Sequence, residues 1–166
     1  MATAADSGVT MARGAFPALG SKIGVVQVEI DIPAASAELA AQGDGVLVSG
    51  DVVNAITVPQ GTVILSAGFE ITETVVGSAA LGVALGVTGG DVDAFVAEVD
   101  IGSSTSYVAT DYPPVATTAP VLIGTGAAGA TTGVIALLFS GTVTAVPTAG
   151  KLRVWAVVVD AADLAG

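Results

Sequence analysis

The side chains most able to do chemistry in this sequence are carboxylates, because the chain contains no histidine and no cysteine. Without histidine there is no Ser-His-Asp triad and no histidine-ligated zinc, iron or copper, and without cysteine there is no thiolate nucleophile or metal ligand. Asp91 and Asp93 follow a Gly-Gly turn, with Glu98 and Asp100 beyond them. Their oxygen atoms could bind calcium, but the segment lacks the third ligand and the glycine of the pattern D-x-[DN]-x-[DN]-G. Turn formation accounts for these residues, and we predict no metal and no other cofactor.

Acid/base catalysis by paired carboxylates is a second possibility. Asp91 with Asp93, or Glu70 with Glu73, could serve glycoside hydrolysis, which uses two carboxyl groups beside the bond that breaks. Such a site needs a cleft lined with aromatic side chains, and the chain has one Trp and two Tyr. We therefore interpret these carboxylates as solvated residues that keep an apolar chain soluble.

The segment Gly124–Gly129 matches the pattern G-x-G-x-x-G of dinucleotide-binding turns. That site also needs a helix at the third glycine and an acidic residue about 20 residues further on. Here a strand pattern follows, and no Asp or Glu occurs before Asp160. A hairpin loop explains the glycines, and we predict that the protein is not an enzyme.

The composition favours β-structure for the elements that carry these residues. Of the 166 residues, 52% are hydrophobic and 11% charged, with 22 Gly and 7 Pro. Small and β-branched residues between Gly and Pro turns are typical of strands, and the Glu, Lys and Arg of long helices are scarce. We predict an all-β fold, and the lack of cysteine fits folding in a reducing cytoplasm.

The stretch Ala55–Val96 organises the rest of the chain. Its first strand ends at Pro59, where Gln60-Gly61 turns the chain. From Thr62 the residues alternate, and the apolar face consists of Val63, Leu65, Ala67, Phe69 and Ile71. With another strand at Leu81–Val87, this stretch predicts a β-meander.

Alternation predicts further strands on both sides of this stretch: Gly24–Ile32, Phe95–Ile101, Val121–Gly124, Gly133–Val143 and Lys151–Asp160. Pro33–Gly43 predicts one short helix, because Pro suits a first turn and Gly a C-terminal cap. Residues 121–146 contain too much Gly, Thr and Ala for a membrane span. No linker divides the chain, so residues 23–166 are predicted to form one domain.

The charges limit the possible partners. The chain has 15 acidic and 4 basic residues, a net charge of −11. No basic cluster exists that could displace counterions from nucleic acid or bind an anionic membrane, and we predict neither partner. A monomer of this mass exposes roughly 7,400 Å², and so few charges leave much of that area apolar. An exposed apolar area usually marks an interface, so we predict an obligate oligomer.

The strand patterns assign core and contact residues. We predict that the inward faces fill a sandwich core, with these members: Val63, Leu65, Phe69, Leu152, Val154 and Val158. The opposite apolar faces predict a contact between subunits, made by Leu137, Phe139, Trp155 and Val157.

Residues 1–22, the N-terminal arm, contain no apolar run that would make a signal peptide or an anchor. Arg13 and Lys22 are half of the basic residues, and Phe16 and Leu19 are apolar. Two interpretations stay open: a loose terminus, or an extended arm that binds a partner through these four side chains.

Three segments together resemble a known family. These are Val58–Val63 (Val-Pro-x-Gly-Thr-Val), Gly89–Phe95 (Gly-Gly-Asp-x-Asp-Ala-Phe) and the final strand Gly150–Val159. Over roughly residues 52–160 the chain resembles the small head-decoration, or cement, proteins of tailed bacteriophages.

The resemblance implies an antiparallel β-sandwich, jelly-roll-like, that is usually trimeric. It would bind the outer capsid surface where hexamers of the major capsid protein meet, after synthesis in the host cytoplasm. Two other functions stay open: a phage tail or fibre component, and a surface adhesin domain.

Overall fold

The structure, a computed structural model, describes residues 3–4, 9–10, 23–43, 47, 49–77, 81–88, 90–102, 121–122, 132–141 and 146–160. These residues form strands and one helix. In chain order they are β1 (Thr3–Ala4), β2 (Val9–Thr10), β3 (Gly24–Asp31), α1 (Ile32–Ala41), β4 (Val52–Pro59), β5 (Thr62–Val76), β6 (Gly82–Val87), β7 (Val96–Asp100), β8 (Val121–Leu122), β9 (Thr132–Ser140) and β10 (Ala149–Asp160). The prediction of an all-β fold with one short helix is confirmed.

The strands from β3 to β10 form one long hairpin that is folded over on itself. β3 pairs with β10, β4 with β9, β5 with β8 and β6 with β7, and every pair is antiparallel. Two further antiparallel pairs, β5 with β10 and β6 with β9, divide this hairpin into two sheets. Sheet A has the order β4-β9-β6-β7 and sheet B the order β3-β10-β5-β8. Eight antiparallel strands arranged in this way are a jelly roll, so the predicted jelly-roll-like sandwich is confirmed.

Two very short strands extend the sheets at the edge formed by β3 and β4. β1 pairs in parallel with β4 through Thr3 and Val52, and β2 pairs antiparallel with β3 through Val9 and Ile30. Both come from the N-terminal arm. The described parts of the arm therefore lie along the protein's own sheet edges.

The predicted β-meander is wrong. β4 belongs to sheet A and β5 to sheet B, although only Gln60 and Gly61 separate them. Gly61 adopts a φ of +82°, which a glycine tolerates at a tight turn. Val58 and Ile64, on either side of this turn, are both fully buried in the core. The chain turns a corner here because the apolar faces of the two strands must meet across the sandwich.

α1 confirms the predicted helix. Asp31 caps it, since its Oδ1 accepts a hydrogen bond of 2.9 Å from the backbone N–H of Ala34, and Pro33 lies in the first turn. The helix adds its buried side chains to the core, namely Ile32, Ala35 and Leu39. Ser36 Oγ accepts a hydrogen bond of 3.3 Å from the backbone N–H of Leu47, which ties the following segment to the helix.

A β-bulge changes the predicted face of β5. Val157 pairs with Ser66 but Val158 pairs with Ile64, so Leu65 is an extra residue. Ile64 therefore points into the core, where alternation alone had placed Val63 and Leu65. Leu65 is half-buried, and Val63 is buried outside the main core cluster. The other predicted members of the core are confirmed: Phe69, Leu152, Val154 and Val158.

Candidate functional site

The acidic loop between β6 and β7 lies at the surface. The backbone N–H of Asp93 donates to Asp91 Oδ1 across 3.5 Å, in a turn closed by the side chain. Hydrogen bonding to the Asp91 carboxylate raises the pKa of Asp93, with smaller contributions from lost hydration and from charge repulsion. Within the described ranges, no three acidic side chains are grouped in a way that would hold a metal ion.

The second carboxylate pair is part of an ion-pair ladder on the outer face of sheet B. Arg153 pairs across the sheet with Glu29 on β3 and Glu70 on β5, and its Nη1 donates a hydrogen bond to Glu70 Oε1. Lys151 Nζ lies 3.7 Å from Glu73 Oε2 and 4.0 Å from Glu29 Oε1. These side chains are 26% to 48% exposed, so each pair contributes at most about 1 kcal/mol. The ladder neutralises charge and is not arranged as a catalytic acid/base pair.

The other half of the same face is apolar. Trp155 lies opposite Gln27 and Gly68, and Val157 lies opposite Val25. Val25 is 56% exposed and Ile23, which precedes β3, is 57% exposed. We call these four residues the sheet B patch: Ile23, Val25, Trp155 and Val157. It is an exposed apolar surface that continues directly into the ladder of paired charges.

The outer face of sheet A is made of small residues. Gly82, Ala84 and Gly86 alternate along β6 with the inward-facing Val83 and Leu85. Ala136 on β9 pairs with Gly86 and lies on the same outer side. All four residues are nonetheless buried, with Ser140 and Glu98 lying over Gly82 and a loop lying over Gly86. They form the floor of this face.

A loop folds over one end of this face and forms a shallow depression there. A Cβ at Gly86 would collide with the backbone of Asp91 and Val92, so the loop rests directly on this glycine. The backbone N–H of Val87 donates to Asp91 O (2.8 Å), and that of Phe95 to Leu85 O (3.0 Å), which holds the loop in place. The depression has a volume of about 130 Å3 and is lined by Val52, Gly86, Val87, Thr88, Val92, Ala136 and Leu138. Its lining is almost entirely apolar.

The described charges near this face are all negative. Asp91 and Asp93 flank Val92 at the depression, and a Cβ at Gly82 would meet Glu98 Oε1 at 2.8 Å, so the Glu98 carboxylate lies over the far end of β6. The three salt bridges between described side chains lie on sheet B. Among the described residues, the outer face of sheet B therefore carries both charge signs, whereas that of sheet A carries negative charges.

The structure separates the residues that were predicted to contact another subunit. Trp155 and Val157 are partly exposed on the outer face of sheet B. Leu137 and Phe139 point inward from β9 and are fully buried in the core, so their side chains do not form a contact surface. Because β9 is apolar on both sides, its sequence does not show which side packs against sheet B.

Several predicted features lie outside the described residues: Arg13, Phe16, Leu19, Lys22 and the glycine pattern Gly124–Gly129. The depression on sheet A was missed by sequence reasoning. One signal was present, the strict alternation of Gly or Ala with larger apolar residues from Gly82 to Val87. The sequence contains no comparable signal that the loop folds over Gly86.

No helix in the ranges that the structure describes is long and apolar enough to cross a membrane. Comparison of the chain with protein-family models, with curated proteins and with solved structures finds no match.

Proposed function

We propose that this protein is a structural virion protein that acts by binding: a capsid decoration, or cement, protein that binds the outer surface of a phage head as a homo-oligomer. The resemblance of three sequence segments to that family supports the proposal, and a jelly roll is the fold that the resemblance implies. The partner within the shell is the major capsid protein. The protein is made in the host cytoplasm and resides on the outside of the virion.

The sheet B patch is the observation that carries the proposal. Val25 and Ile23 are more than half exposed, beside Trp155 and Val157. Burying one such aliphatic side chain is worth about 1.5–3 kcal/mol. Tryptophan is among the residues most often responsible for binding energy in an interface, and Trp155 lies where the patch meets the ladder of charges. A patch of this composition favours contact with another protein over contact with water.

Charge favours a second copy of this chain as the occupant of the patch. With a net charge of −11, two copies repel each other wherever acidic surfaces meet. Beside the sheet B patch, Arg153 and Lys151 alternate with Glu29, Glu70 and Glu73. Both charge signs are present there, so a second copy meets complementary charges and the repulsion is smallest.

A trimer, the state we propose, explains how such a protein strengthens a shell. Three linked binding sites engage together, so that contacts of modest energy give a high overall affinity. The N-terminal arm offers Arg13, Phe16, Leu19 and Lys22 for docking. An arm that becomes ordered on binding carries a cost of a few kcal/mol, which the linked sites offset.

The proposal is tested with particles that lack the protein. Purified protein is added, and the particles are imaged and their occupancy is measured. We expect density at fixed positions on the outer surface and an increased resistance of the particles to heat. Particles that stay bare at saturating protein concentration would contradict the function as a cement.

A tail or fibre component is the second candidate, and one observation favours it. The sheet B patch and the depression on sheet A lie on opposite sides of the sandwich, and a contact between opposite surfaces repeats as an open stack. Rods that lengthen with protein concentration would favour this function. A melting temperature that rises with calcium or glycans would instead favour an adhesin domain.

A further inference from the structure

We propose that the outer face of sheet A binds an extended segment of a different protein. One apolar side chain of that segment fills the depression beside Val92, and a neighbouring lysine or arginine contacts Asp91 or Asp93. The inference rests on the proposed function in one respect, namely that the partner belongs to the assembly that this protein decorates.

The size of the depression limits the size of the apolar side chain that fills it, which we call the anchor. Its volume is about 130 Å3. An apolar cavity of roughly 150 Å3 accommodates a benzene molecule. One branched aliphatic or aromatic side chain therefore fits, and a polar side chain would lose its hydration against Val52, Ala136 and Leu138 without gaining a hydrogen-bond partner.

The charges around the depression determine what flanks the anchor. Asp91 and Asp93 lie on either side of Val92, whose side chain is 43% exposed in the wall of the depression. Lys151 and Arg153 are the cations among the described residues. Both lie on sheet B, where they are paired with glutamates of the same sheet. A basic segment of another protein is thus complementary to this face, whereas the described surface of a second copy would bring acidic groups against acidic groups.

A partner that lies along this face crosses from the depression at Gly86 to the Glu98 carboxylate. Gly82, Ala84 and Gly86 are buried between these points, so the partner contacts the groups that cover them. Glu98 lies over Gly82, four residues from Gly86, which in a strand corresponds to about 13 Å. An extended partner with a second basic residue about four positions from the first would therefore reach Glu98 as well.

The experiment selects ligands from a random seven-residue peptide library displayed against the immobilised full chain. We expect enrichment of peptides in which an apolar residue adjoins a lysine or arginine. The strongest peptide is then synthesised, and its Kd is measured by calorimetry against protein variants at low and at high salt.

Two matched pairs of variants locate the binding site. Val92→Asn should weaken the binding of the peptide about tenfold, because the apolar side chain of the peptide loses its contact with the aliphatic side chain of Val92. Val146→Asn is the control, since Val146 is also 43% exposed and does not line the depression. The double variant Asp91→Asn/Asp93→Asn should weaken binding and reduce its dependence on salt, whereas Glu73→Gln on sheet B should not.

Three results would overturn the inference. One is a selection that enriches no basic apolar peptides, or a Val92→Asn variant that binds as tightly as Val146→Asn. Another is a synthetic peptide of residues 11–22 that binds this face more tightly than every selected peptide, which would assign the face to the chain's own arm. The third is a loss of oligomer in Val92→Asn, which would assign it to a second copy.

Particle binding is measured separately. A protein that binds basic apolar peptides through Val92 but does not decorate particles would contradict the cement function and not this inference. A protein that decorates particles equally well with Val92→Asn would contradict the inference and not the cement function.

Discussion

The two outer faces of this jelly roll consist of the same type of antiparallel strands, yet they expose different chemistry. The face of sheet B presents large side chains such as Trp155 and Val157, next to a ladder in which both charge signs occur. On the face of sheet A glycine and alanine are buried, a loop lies over Gly86, and the described charges are carboxylates without a described cation nearby. Two surfaces of one sandwich are thus suited to different partners.

This difference arises because oppositely charged side chains lie next to each other on the outer face of sheet B. On sheet B the cross-strand neighbours of Arg153 are both glutamates, so both charge signs lie side by side there and a like-charged copy is repelled less. On sheet A each additional carboxylate adds to the same sign. An acidic face excludes copies of its own chain and attracts basic partners. Charge pattern, more than apolar area, distinguishes the proposed self-contact from the proposed foreign contact.

The largest expected effect concerns the sheet B patch. Trp155→Ala should weaken the association of the subunits by about 2 kcal/mol or more, about 30-fold in the dissociation constant, because tryptophan is among the residues that carry most of an interface's energy. Sedimentation equilibrium over a range of concentrations measures this. Thr57→Ala, an exposed position on β4, is the control. A wild-type protein that is monomeric at micromolar concentration would refute the self-contact.

The next effect tests the loop on sheet A. Gly86→Ala should lower the free energy of unfolding by about 1–3 kcal/mol, because a Cβ there would collide with the backbone of Val92, which would have to shift. Gly90→Ala in the same loop should change it by less than about 0.5 kcal/mol, because its Cβ would make only an ordinary contact with Val87 O at 3.6 Å. Urea unfolding of both variants is the measurement. Equal losses would mean that the loop does not rest on Gly86.

A smaller effect separates the two cations of the ladder. Arg153→Gln should cost about 1 kcal/mol of unfolding free energy at low salt, and Lys151→Gln less than about 0.5 kcal/mol, because its distances to Glu29 and Glu73 are longer. Both losses should shrink in 1 M salt, which screens exposed charges. A loss that is independent of salt would show that the arginine acts through the packing of its stem.

The smallest effect concerns the pH dependence of the acidic loop. Because the pKa of Asp93 is raised in the folded state, the Asp93 carboxyl group binds its proton more tightly in that state than in the unfolded chain. The folded state is therefore favoured below the ordinary pKa of 3.8, and this advantage is lost as the pH rises through the raised pKa. Asp93→Asn should raise the melting temperature slightly at pH 7 and leave it unchanged near pH 3. An equal shift at both pH values would exclude titration as the cause.

Strand positions and the inward face of β10 were predictable from the sequence. Leu152 and Val154 alternate with Lys151, Arg153 and Trp155, the same period places Val158 on their side, and a period of two requires no knowledge of neighbouring strands. The helix was predictable for a similar reason, since Pro33 and Gly43 act within one or two turns of their own position. Patterns of this kind involve only residues that are close together in the sequence.

The face of β5 and the role of β9 were not predictable in this way. The bulge at Leu65 arises from the register with Val157 and Val158, far away in the chain, and it reverses which residues face the core. Leu137 and Phe139 lie in a run that is apolar on both sides, and only the position of sheet B determines which side is buried.

By itself the sequence determined that the chain forms β-strands, that it carries no histidine or cysteine chemistry, and that its surface is apolar and acidic. These properties depend on residue types and on spacings of two to four residues. Only the tertiary structure decided that β4 and β5 enter different sheets, that the loop at Val92 rests on Gly86, and that Glu70 and Glu73 pair with cations on β10. Each of these depends on contacts between segments that are remote in the chain, and such contacts exist only once the long hairpin has folded over on itself.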